Sequence, residues 1–430
     1  MRKKRVAAAT VGCKVNFYDT EVVLKKFEDV GYEIVDFKDE ADVYIVNTCS
    51  VTNLADKKSR QILKRAKNKN SDALTLAIGC SSQLTPKKYE EIGADIVLGT
   101  SNRLESLRLV QNYTNKVTEL DPNIFGQSEF EATNITKNSD KTRAFLKLQD
   151  GCNNFCTFCI IPYARGVSRS RPFEDVIKQA RIFAENGYKE IVVAGIHIES
   201  YGKDLGEYDL VDVLQEICQI DGIKRVRLSS VEPSAVTPKF LDFIANNPKF
   251  CEHLHLSLQS GSDRILKLMN RKYTTEKYSE AINSLRNIVP NISLTTDIIA
   301  GFPFETEEEH KQTCDFVNEI KFSKLHVFPF SPKEGTQAAK MPNQIETEVK
   351  KKRVAELLTI SNKLESEYNS KFVGQTMPVL VEKVNKLGYL EGKTGNYLNV
   401  IFEGSAELIR KIVSVRIDFA GEGGLFGKVL

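Results

Sequence analysis

Six of the nine cysteines fall into two groups of three, and this arrangement constrains the chain more than any other feature. The compact group has the spacing CxxxCxxC and consists of Cys152, Cys156 and Cys159. The dispersed group lies within the first eighty residues and consists of Cys13, Cys49 and Cys80. Three thiolates can hold a four-iron cluster by three of its irons, which leaves the fourth iron free to bind a reacting group. The sequence therefore predicts two metal clusters and a chain built for chemistry.

Length and composition set the broad class. The chain has 430 residues, enough for two or three domains, with 41% hydrophobic and 27% charged residues. The formal net charge of +3 is too small to indicate nucleic-acid binding by itself. No secretory signal and no apolar run of membrane length is present, so we expect a cytoplasmic protein without a membrane partner. The odd number of cysteines then favours metal ligation over disulfides.

Apolar runs alternate with amphipathic segments in the first hundred residues. The predicted strands are residues 5–11, 43–46 and 74–78, and the predicted helices are residues 19–30 and 56–67. This alternation is typical of a parallel sheet covered on both faces. Each dispersed cysteine comes just past a predicted strand, and the carboxyl ends of parallel strands share the edge where ligands bind. We therefore expect Cys13, Cys49 and Cys80 to meet on one rim, with Gly12 and Gly79 allowing close approach to a cluster.

The remaining chain divides into a linker, a second α/β unit and a small β unit. Residues 113–141 are polar and aperiodic, which indicates a linker. The next predicted strands are residues 144–148, 190–194, 225–229, 253–258, 293–299 and 324–330. Six such units with helices between them favour an incomplete (β/α)6 barrel, whose first strand leads into the compact cysteines. After a long polar helix at 346–370, short strands at 378–384, 397–402 and 411–417 predict a small antiparallel β-barrel.

The predicted fold class is therefore α/β, with four segments. Residues 1–112 form the N-terminal parallel βαβ sheet domain, 113–141 the linker, 142–370 the barrel and 371–430 the terminal β-barrel.

The compact cysteines resemble a known cluster motif. A structural zinc ion would need a fourth Cys or His, and the nearest histidine in sequence is His197. The spacing, with Phe158 just before Cys159, resembles the radical S-adenosylmethionine superfamily, whose fold is an incomplete barrel. The resemblance implies that the fourth iron chelates S-adenosylmethionine and that the reduced cluster cleaves it to a 5′-deoxyadenosyl radical.

Further segments at the predicted strand ends also match this superfamily. The resemblance implies contacts with S-adenosylmethionine from Phe158, Gly195, Ser230, Glu232, Gln259, Ile299 and Gly301. The alternative for each is a residue that shapes a turn at the rim.

The dispersed cysteines narrow the resemblance. The runs Thr10–Asn16 (TVGCKVN), Asn47–Thr52 (NTCSVT) and Gly79-Cys80 resemble the methylthiotransferases, and the terminal barrel resembles the RNA-binding TRAM domain. This implies a transferase in which Cys13, Cys49 and Cys80 hold an auxiliary [4Fe-4S] cluster that delivers a methylthio group. It also implies a second [4Fe-4S] cluster on Cys152, Cys156 and Cys159, and an electron donor such as flavodoxin or ferredoxin.

The substrate follows from the branch of the family. Lys14-Val15-Asn16 resembles the branch that modifies C2 of N6-threonylcarbamoyladenosine in tRNA, 3′ of the anticodon. The alternatives are N6-isopentenyladenosine in tRNA and an aspartate of a ribosomal protein. An alternative of another class is a non-catalytic iron–sulfur sensor that binds RNA.

Basic residues supply candidate RNA contacts. The predicted second helix carries Lys57, Lys58, Arg60, Lys64, Arg65 and Lys67, which either meet phosphates or form a solvated face. Arg165, Arg169 and Arg171 follow the compact cysteines, and we expect them to meet an anionic loop or the threonyl carboxylate. His253 and His255 alternate along a predicted strand and are interpreted as lining or packing residues.

Overall fold

A parallel six-stranded sheet forms the N-terminal part of the protein. The computed structural model describes residues 2–131, 133–137 and 142–430. The strands of this sheet are β1 (Arg5–Thr10), β2 (Glu33–Val35), β3 (Val43–Thr48), β4 (Leu74–Gly79), β5 (Ile96–Leu98) and β6 (Val117–Glu119). The helices are α1 (Lys14–Asp29), α2 (Asn53–Lys69), α3 (Cys80–Leu84), α4 (Pro86–Glu91) and α5 (Ser106–Gln111). The strand order is β2-β1-β3-β4-β5-β6, and every residue of β3 is buried because helices cover both faces.

The predicted end of this unit at residue 112 is too early. Strand β6 pairs in parallel with β5, with Val117 opposite Ile96, and thus belongs to the sheet. Its three residues are partly exposed or exposed, so an edge strand of this kind has no apolar pattern that reveals it. Further along the predicted linker, Ile135 is buried against the barrel, whereas residues 132 and 138–141 lie outside the described residues.

The central part is an incomplete barrel of six parallel strands, as predicted. The strands are β7 (Ala144–Lys147), β10 (Glu190–Ala194), β11 (Arg225–Leu228), β12 (His253–His255), β13 (Ser293–Ala300) and β14 (Lys324–Pro329), and a short pair β8 (Gln149–Asp150) and β9 (Arg169–Ser170) follows β7. The helices are α6 (Ile161–Arg165), α7 (Phe173–Glu185), α8 (Leu210–Gln219), α9 (Pro238–Asn246), α10 (Asp263–Leu268), α11 (Thr275–Ile288), α12 (Glu307–Ile320), α13 (Gln337–Lys340) and α14 (Thr347–Ser370). The sheets β7-β10-β11 and β12-β13-β14 join through a parallel bridge from Val231 to Leu256.

Side chains alternate between the two faces of each barrel strand. Leu254 and Leu256 belong to the apolar core beneath the helices, whereas His253 and His255 take the opposite, inward face. The lumen of the barrel is therefore polar.

A closed five-stranded barrel ends the chain. Its strands are β15 (Thr376–Val384), β16 (Leu390–Thr394), β17 (Asn399–Glu403), β18 (Ile412–Gly421) and β19 (Gly424–Val429). The predicted small β-barrel is confirmed: four of its strand pairs are antiparallel, and closure joins β17 to β19 in parallel. Strands β16 and β19 escaped prediction because glycines such as Gly392 and Gly427 interrupt their apolar pattern.

The terminal barrel is fastened to the amino ends of the central strands. The Arg225 guanidinium donates to the carbonyls of Lys393 at 2.9 Å and Pro378 at 2.5 Å, and Arg227 donates to the Thr394 carbonyl at 3.1 Å. No helix among the described residues has the length and apolar character needed to cross a membrane.

Candidate active site

The dispersed cysteines lie just past the carboxyl ends of three neighbouring strands. Cys13 caps the start of α1, Cys49 follows β3 directly, and Cys80 is the first residue of α3 after β4. A Cβ atom on Gly12 would lie 2.9 Å from Cys49 Sγ, and Gly12 has a φ of +112°. Only glycine therefore lets the chain before Cys13 pass this close to the Cys49 sulfur. These three residues are the auxiliary triad.

The chemistry of the auxiliary triad favours a bound cation. Burial, together with the nearby thiols of Cys80 and Cys13, raises the pKa of Cys49 to about 12. Burial also raises the pKa of Cys80, although the Arg165 charge opposes this. Metal ligation requires thiolates, so the positive charge of iron is what stabilises this triad in its ligating form.

The spacing of the sulfurs distinguishes a cluster from a single ion. A zinc ion with Zn–S bonds of about 2.3 Å would hold three tetrahedral thiolates within about 4 Å of one another. In the part of the chain that the structure describes, neither set of three sulfurs lies within 4.8 Å of one another. Neither set of sulfurs therefore has the close spacing of a tetrahedral zinc site.

The compact cysteines occupy the loop between β8 and α6. Gly151 has a φ of +72° and Phe155 a φ of +46°, so the backbone coils tightly, and the amide of Cys159 donates to the Cys156 carbonyl at 2.9 Å. Burial raises the pKa of both Cys152 and Cys159 to about 12. These three residues, Cys152, Cys156 and Cys159, are the compact triad.

A polar network that sequence analysis largely missed faces the compact triad. The Asn154 amide nitrogen lies 2.9 Å from the Glu232 carboxylate and 3.0 Å from His197 Nε2. Arg271 pairs with Glu232 at 2.9 Å, and its Nη1 lies 3.5 Å from Cys156 Sγ. Of these four residues only Glu232 was predicted, because no sequence pattern shows that the loop with Arg271 returns to the cluster.

His197 belongs to the same network. Burial tends to lower the pKa of His197, but the hydrogen bond and charge of Glu199, 3.2 Å away, raise it overall. The pocket beside the compact triad thus contains carboxylates, amides and cations, which suit the amino and carboxylate groups of an amino acid.

The other predicted cofactor residues lie at the same rim. Gly195 ends β10, and a Cβ there would lie 3.1 Å from the side-chain oxygen of Gln149. Gln259 has a φ of +74°, and its carbonyl accepts from the Ile299 amide at 2.9 Å. Gly301 also has a positive φ, of +73°, and Ser230 is exposed after β11.

An apolar patch completes this rim. Phe158 and Ile299 pack against the cluster of Met269, Phe302 and Phe330. Such a surface suits the flat face of an adenine ring.

Arg165 joins the two cysteine sets. Its Nε donates to Cys80 Sγ at 3.2 Å, and its Nη1 donates to both oxygens of Asp150 at 2.9 and 3.0 Å. Asp150 lies two residues before Cys152, so one guanidinium spans the boundary between the auxiliary triad and the loop of the compact triad.

The ion pairs around Arg165 are buried. Burial alone would raise the pKa of Asp19, but the charges of Arg103, Lys147 and Arg165 lower it to about 2. Lys147 also contacts Asp150 at 2.6 Å. Asp19 on α1 therefore holds the N-terminal sheet onto the barrel through two cations of the barrel, Lys147 and Arg165.

The predicted role of Arg165, Arg169 and Arg171 in substrate contact is wrong. Arg169 Nη1 donates to the Arg165 carbonyl at 2.7 Å, and Arg171 Nη1 donates to the Tyr18 hydroxyl at 2.7 Å. All three arginines are buried, and their guanidinium groups are occupied by partners within the protein. Arg165 and Arg171 contact Asp19 and Tyr18 of α1, so they lie where the N-terminal unit meets the barrel.

The basic helix α2 lies beside the auxiliary triad. Its first residue, Asn53, donates to the Pro332 carbonyl at 3.1 Å, so the N-terminal sheet also meets the loop after β14. Arg60 pairs with Asp56 at 2.7 Å and Lys67 with Asp95 at 3.0 Å, which removes two of the predicted phosphate contacts. The other four predicted cations are exposed, namely Lys57, Lys58, Lys64 and Arg65, and so is Lys69 at the end of the helix.

Three family models match the chain. Residues 146–317 match the radical SAM superfamily, residues 5–99 match the uncharacterized protein family UPF0004, and residues 370–430 match the TRAM domain. Each match falls on one of the three structural parts described above.

Curated relatives match almost the whole chain. The threonylcarbamoyladenosine tRNA methylthiotransferase MtaB of Bacillus subtilis is 44% identical over 97% of this chain and 94% of its own length. The MtaB of Aquifex aeolicus is 38% identical over 96% of this chain and 100% of its own length. A tRNA-2-methylthio-N(6)-dimethylallyladenosine synthase of Alkaliphilus oremlandii is 39% identical over 100% of this chain and 93% of its own length.

A solved structure shares the fold. The radical S-adenosylmethionine methyltransferase TsrM of Kitasatospora setae, solved with cobalamin and a [4Fe-4S] cluster, superposes with a TM-score of 0.57 at 14% identity. The match covers 76% of this chain and 75% of that chain. With two cysteine triads on either side of Arg165 and relatives matching from end to end, the chain belongs to the radical S-adenosylmethionine methylthiotransferase family.

Proposed function

We propose that this enzyme transfers a methylthio group to C2 of N6-threonylcarbamoyladenosine in tRNA, at the position 3′ of the anticodon. The support is the similarity to MtaB relatives, which are named for this reaction, and the pair of cysteine triads. The cofactors are S-adenosylmethionine and two [4Fe-4S] clusters. The auxiliary triad of Cys13, Cys49 and Cys80 holds one cluster, and the compact triad of Cys152, Cys156 and Cys159 holds the other.

The two triads divide the chemistry. When bound, the cluster of the compact triad supplies the one-electron reduction that cleaves S-adenosylmethionine, and the cluster of the auxiliary triad supplies the sulfur. Both reactions must reach the same carbon of the substrate. The observation that carries the proposal is the Arg165 contact, because it bonds to Cys80 on one side and to Asp150, just before Cys152, on the other.

The protein's own residues position the cofactor. Glu232, fixed by Asn154 and Arg271, is placed to accept from the amino group of S-adenosylmethionine or from a ribose hydroxyl. The apolar surface of Phe158 and Ile299 supports the adenine. Gly195 and Gly301 let the Gln149 and Lys350 side chains pack against the backbone at these strand ends.

Arg271 acts on the compact triad as well as on Glu232. Its guanidinium lies beside Cys156 Sγ, so it balances the negative charge of a thiolate-bound cluster. It thereby links the cluster to the residue that orients the cofactor.

We further propose that exposed cations of α2 and the terminal barrel contact the tRNA backbone, that the enzyme acts in the cytoplasm, and that a protein such as flavodoxin or ferredoxin supplies the electron. Single-stranded loops suit this chemistry, since their bases can be turned out into a pocket.

Nucleoside mass spectrometry tests the proposed substrate. Anaerobically reconstituted enzyme, reduced with dithionite and supplied with S-adenosylmethionine and sulfide, is given three anticodon stem-loops. These carry threonylcarbamoyladenosine, isopentenyladenosine or unmodified adenosine at the position 3′ of the anticodon. The proposal expects methylthiolated product from the first stem-loop in large excess. Preferential reaction of the isopentenyl substrate would overturn the choice of substrate, and 5′-deoxyadenosine without any modified nucleoside would overturn tRNA methylthiolation.

A further inference from the structure

Histidines line the lumen of the central barrel below the rim. Three of the five histidines in the chain lie on the inward faces of β12 and β14, at His253, His255 and His326. His255 Nε2 is 3.3 Å from the Asp297 carboxylate, and the rings of His255 and His326 are 5.6 Å apart. A polar lumen of this kind can hold a polar ligand, and the proposed roles of the two triads do not use it.

Lys14 extends from the N-terminal sheet domain toward this lumen. It directly follows Cys13 and is the first residue of α1. One turn later Phe17 packs edge-on against Phe145 of β7, with ring centroids 6.2 Å apart. Residues three apart share a face of a helix, so Lys14 is turned toward the barrel in the same way.

The charge of Lys14 is felt inside the lumen. Burial would raise the pKa of Tyr397, but the charges of Arg143, Lys14 and Lys393 lower it. Burial would also raise the pKa of Asp297, but the hydrogen bond from His255 and the charges of His255, His326 and Lys14 lower it.

Among the described residues, Lys14 and Lys393 both lack a carboxylate partner, but the Lys393 ammonium lies over the Tyr397 ring, 5.1 Å from its centroid. Arg227 pairs with Glu190 at 2.8 Å, and Arg143 pairs with Glu382 at 2.7 Å. Among the described residues, no hydrogen bond or ion pair holds the Lys14 ammonium group. A lysine that is partly buried without a partner is available to an anion that enters the lumen.

A cavity gives access to this region. It has a volume of about 800 Å³ and lies between the central and terminal barrels. Thr295 and His326 line it on one side, and Lys393 and Tyr397 on the other. Its size falls within the range of about 300–1,000 Å³ that is typical of small-molecule sites.

The proposed substrate has an anion in the right part of the molecule. In adenine, C2 and C6 lie on either side of N1, so the bonds that leave the ring at these two carbons point in different directions. With C2 facing the triads, the threonylcarbamoyl group is free to extend into the lumen. That group ends in a carboxylate and a hydroxyl, whereas an isopentenyl group is apolar.

We propose that Lys14 is the counter-ion of the threonyl carboxylate and so determines specificity for threonylcarbamoyladenosine. This inference rests on the proposed function. It places the residue that selects the N6 group directly beside Cys13 of the auxiliary triad. A charged hydrogen bond between an ammonium and a carboxylate is strong enough to discriminate between substrates.

A pair of stem-loops tests the role of Lys14. One carries threonylcarbamoyladenosine, and the other carries the same nucleoside with a carboxamide in place of the carboxylate. Dissociation constants are measured anaerobically for the holoenzyme, and the ratio of the two is taken within each variant, so that a general change in affinity cancels. Wild-type protein is expected to bind the carboxylate about 10-fold or more tightly than the carboxamide, as for one hydrogen bond between charged groups.

Variants of Lys14 distinguish the effect of its charge from a general effect on the structure. Lys14→Met and Lys14→Gln should bring the ratio close to one, whereas Lys14→Arg should keep most of it. Lys25→Met is the matched control, because Lys25 lies on the same helix and pairs with Asp29 at the surface. A wild-type ratio in Lys14→Met and Lys14→Gln would overturn the inference. Absence of methylthiolated product from wild-type enzyme with either stem-loop would instead overturn the proposed function.

Discussion

Arg165 Nε donates a hydrogen bond to Cys80 Sγ at 3.2 Å, across the boundary between the N-terminal sheet and the central barrel. Arg165 is buried, and the rest of its guanidinium is held by Asp150, Asp19 and Asn16. It is therefore fixed in place beside one sulfur of the auxiliary triad and acts there as a positioning residue.

This contact predicts the electronic effect of replacing Arg165. Hydrogen bonds and positive charge at a cluster sulfur stabilise the reduced, more negative state and raise the reduction potential. Arg165→Lys keeps a charge but loses the Nε donor, so the auxiliary cluster should become harder to reduce. EPR-monitored redox titration measures this potential.

Replacing Arg271 makes the corresponding test at the cluster of the compact triad. It lies 3.5 Å from Cys156 Sγ, so Arg271→Lys should shift the other cluster and leave the auxiliary cluster unchanged. If Arg165→Lys shifted both clusters equally, or neither, the assignment of Cys80 to a distinct auxiliary cluster would be contradicted.

The two triads should separate by mutation. Cys156→Ala should abolish cleavage of S-adenosylmethionine, because the cluster that supplies the electron loses a ligand. Cys49→Ala should leave cleavage measurable but stop methylthio transfer. Chromatography of 5′-deoxyadenosine and mass spectrometry of nucleosides give the two readouts. Cys218→Ala is the control, since this buried cysteine lies in the apolar core beneath the helices. Full methylthiolation by Cys49→Ala would show that the auxiliary triad has another role.

The buried ion pairs predict a loss of stability in Asp19→Asn. Asp19 contacts Lys147 at 2.8 Å and Arg165 at 2.9 Å, so removing its charge leaves buried cations with less compensation. Breaking one partner of a buried pair typically costs about 3–5 kcal/mol. Chemical denaturation of the metal-free protein measures the change in the free energy of unfolding. Asp29→Asn is the matched control on the same helix, because Asp29 is exposed and its replacement should cost less than about 1 kcal/mol. Equal effects of the two variants would argue against a fastening role for Asp19.

The exposed cations of α2 predict a salt-dependent contribution to RNA binding. Lys57→Glu combined with Lys58→Glu should weaken binding of the anticodon stem-loop and flatten its dependence on salt, since phosphate contacts release counterions. Cleavage of S-adenosylmethionine should be retained. Lys178→Glu combined with Arg181→Glu, on the exposed outside of α7, is the control for net charge. Affinity measured at several salt concentrations gives the slope of log affinity against log salt concentration. An unchanged slope would show that these lysines are solvated and do not contact the RNA.

Residues near strand ends were predictable from the sequence, whereas contacts between units were not. Cys13, Cys49 and Cys80 follow apolar runs, and the geometry of parallel sheets then brings them to one edge. The partners of Arg165 and Arg171 come from α1, about 150 residues earlier in the chain, and no periodicity encodes such a pairing. For this reason basic residues beside the compact triad were misread as substrate contacts.

The same limit applies to details of the fold. Closure of the terminal barrel pairs β17 with β19 in parallel, a consequence of the whole barrel and not of local propensity. Lys14 was recognised only as part of a motif, because its position over the lumen depends on how α1 packs against β7.

The account depends on two iron–sulfur clusters that border one chamber, and magnetic coupling between them tests this most directly. Pulsed EPR of the fully reduced wild-type enzyme should show a dipolar interaction that is absent from Cys49→Ala and from Cys156→Ala, each of which retains one intact triad. A wild-type spectrum equal to the plain sum of the two variant spectra, or iron sufficient for only one cluster, would contradict it.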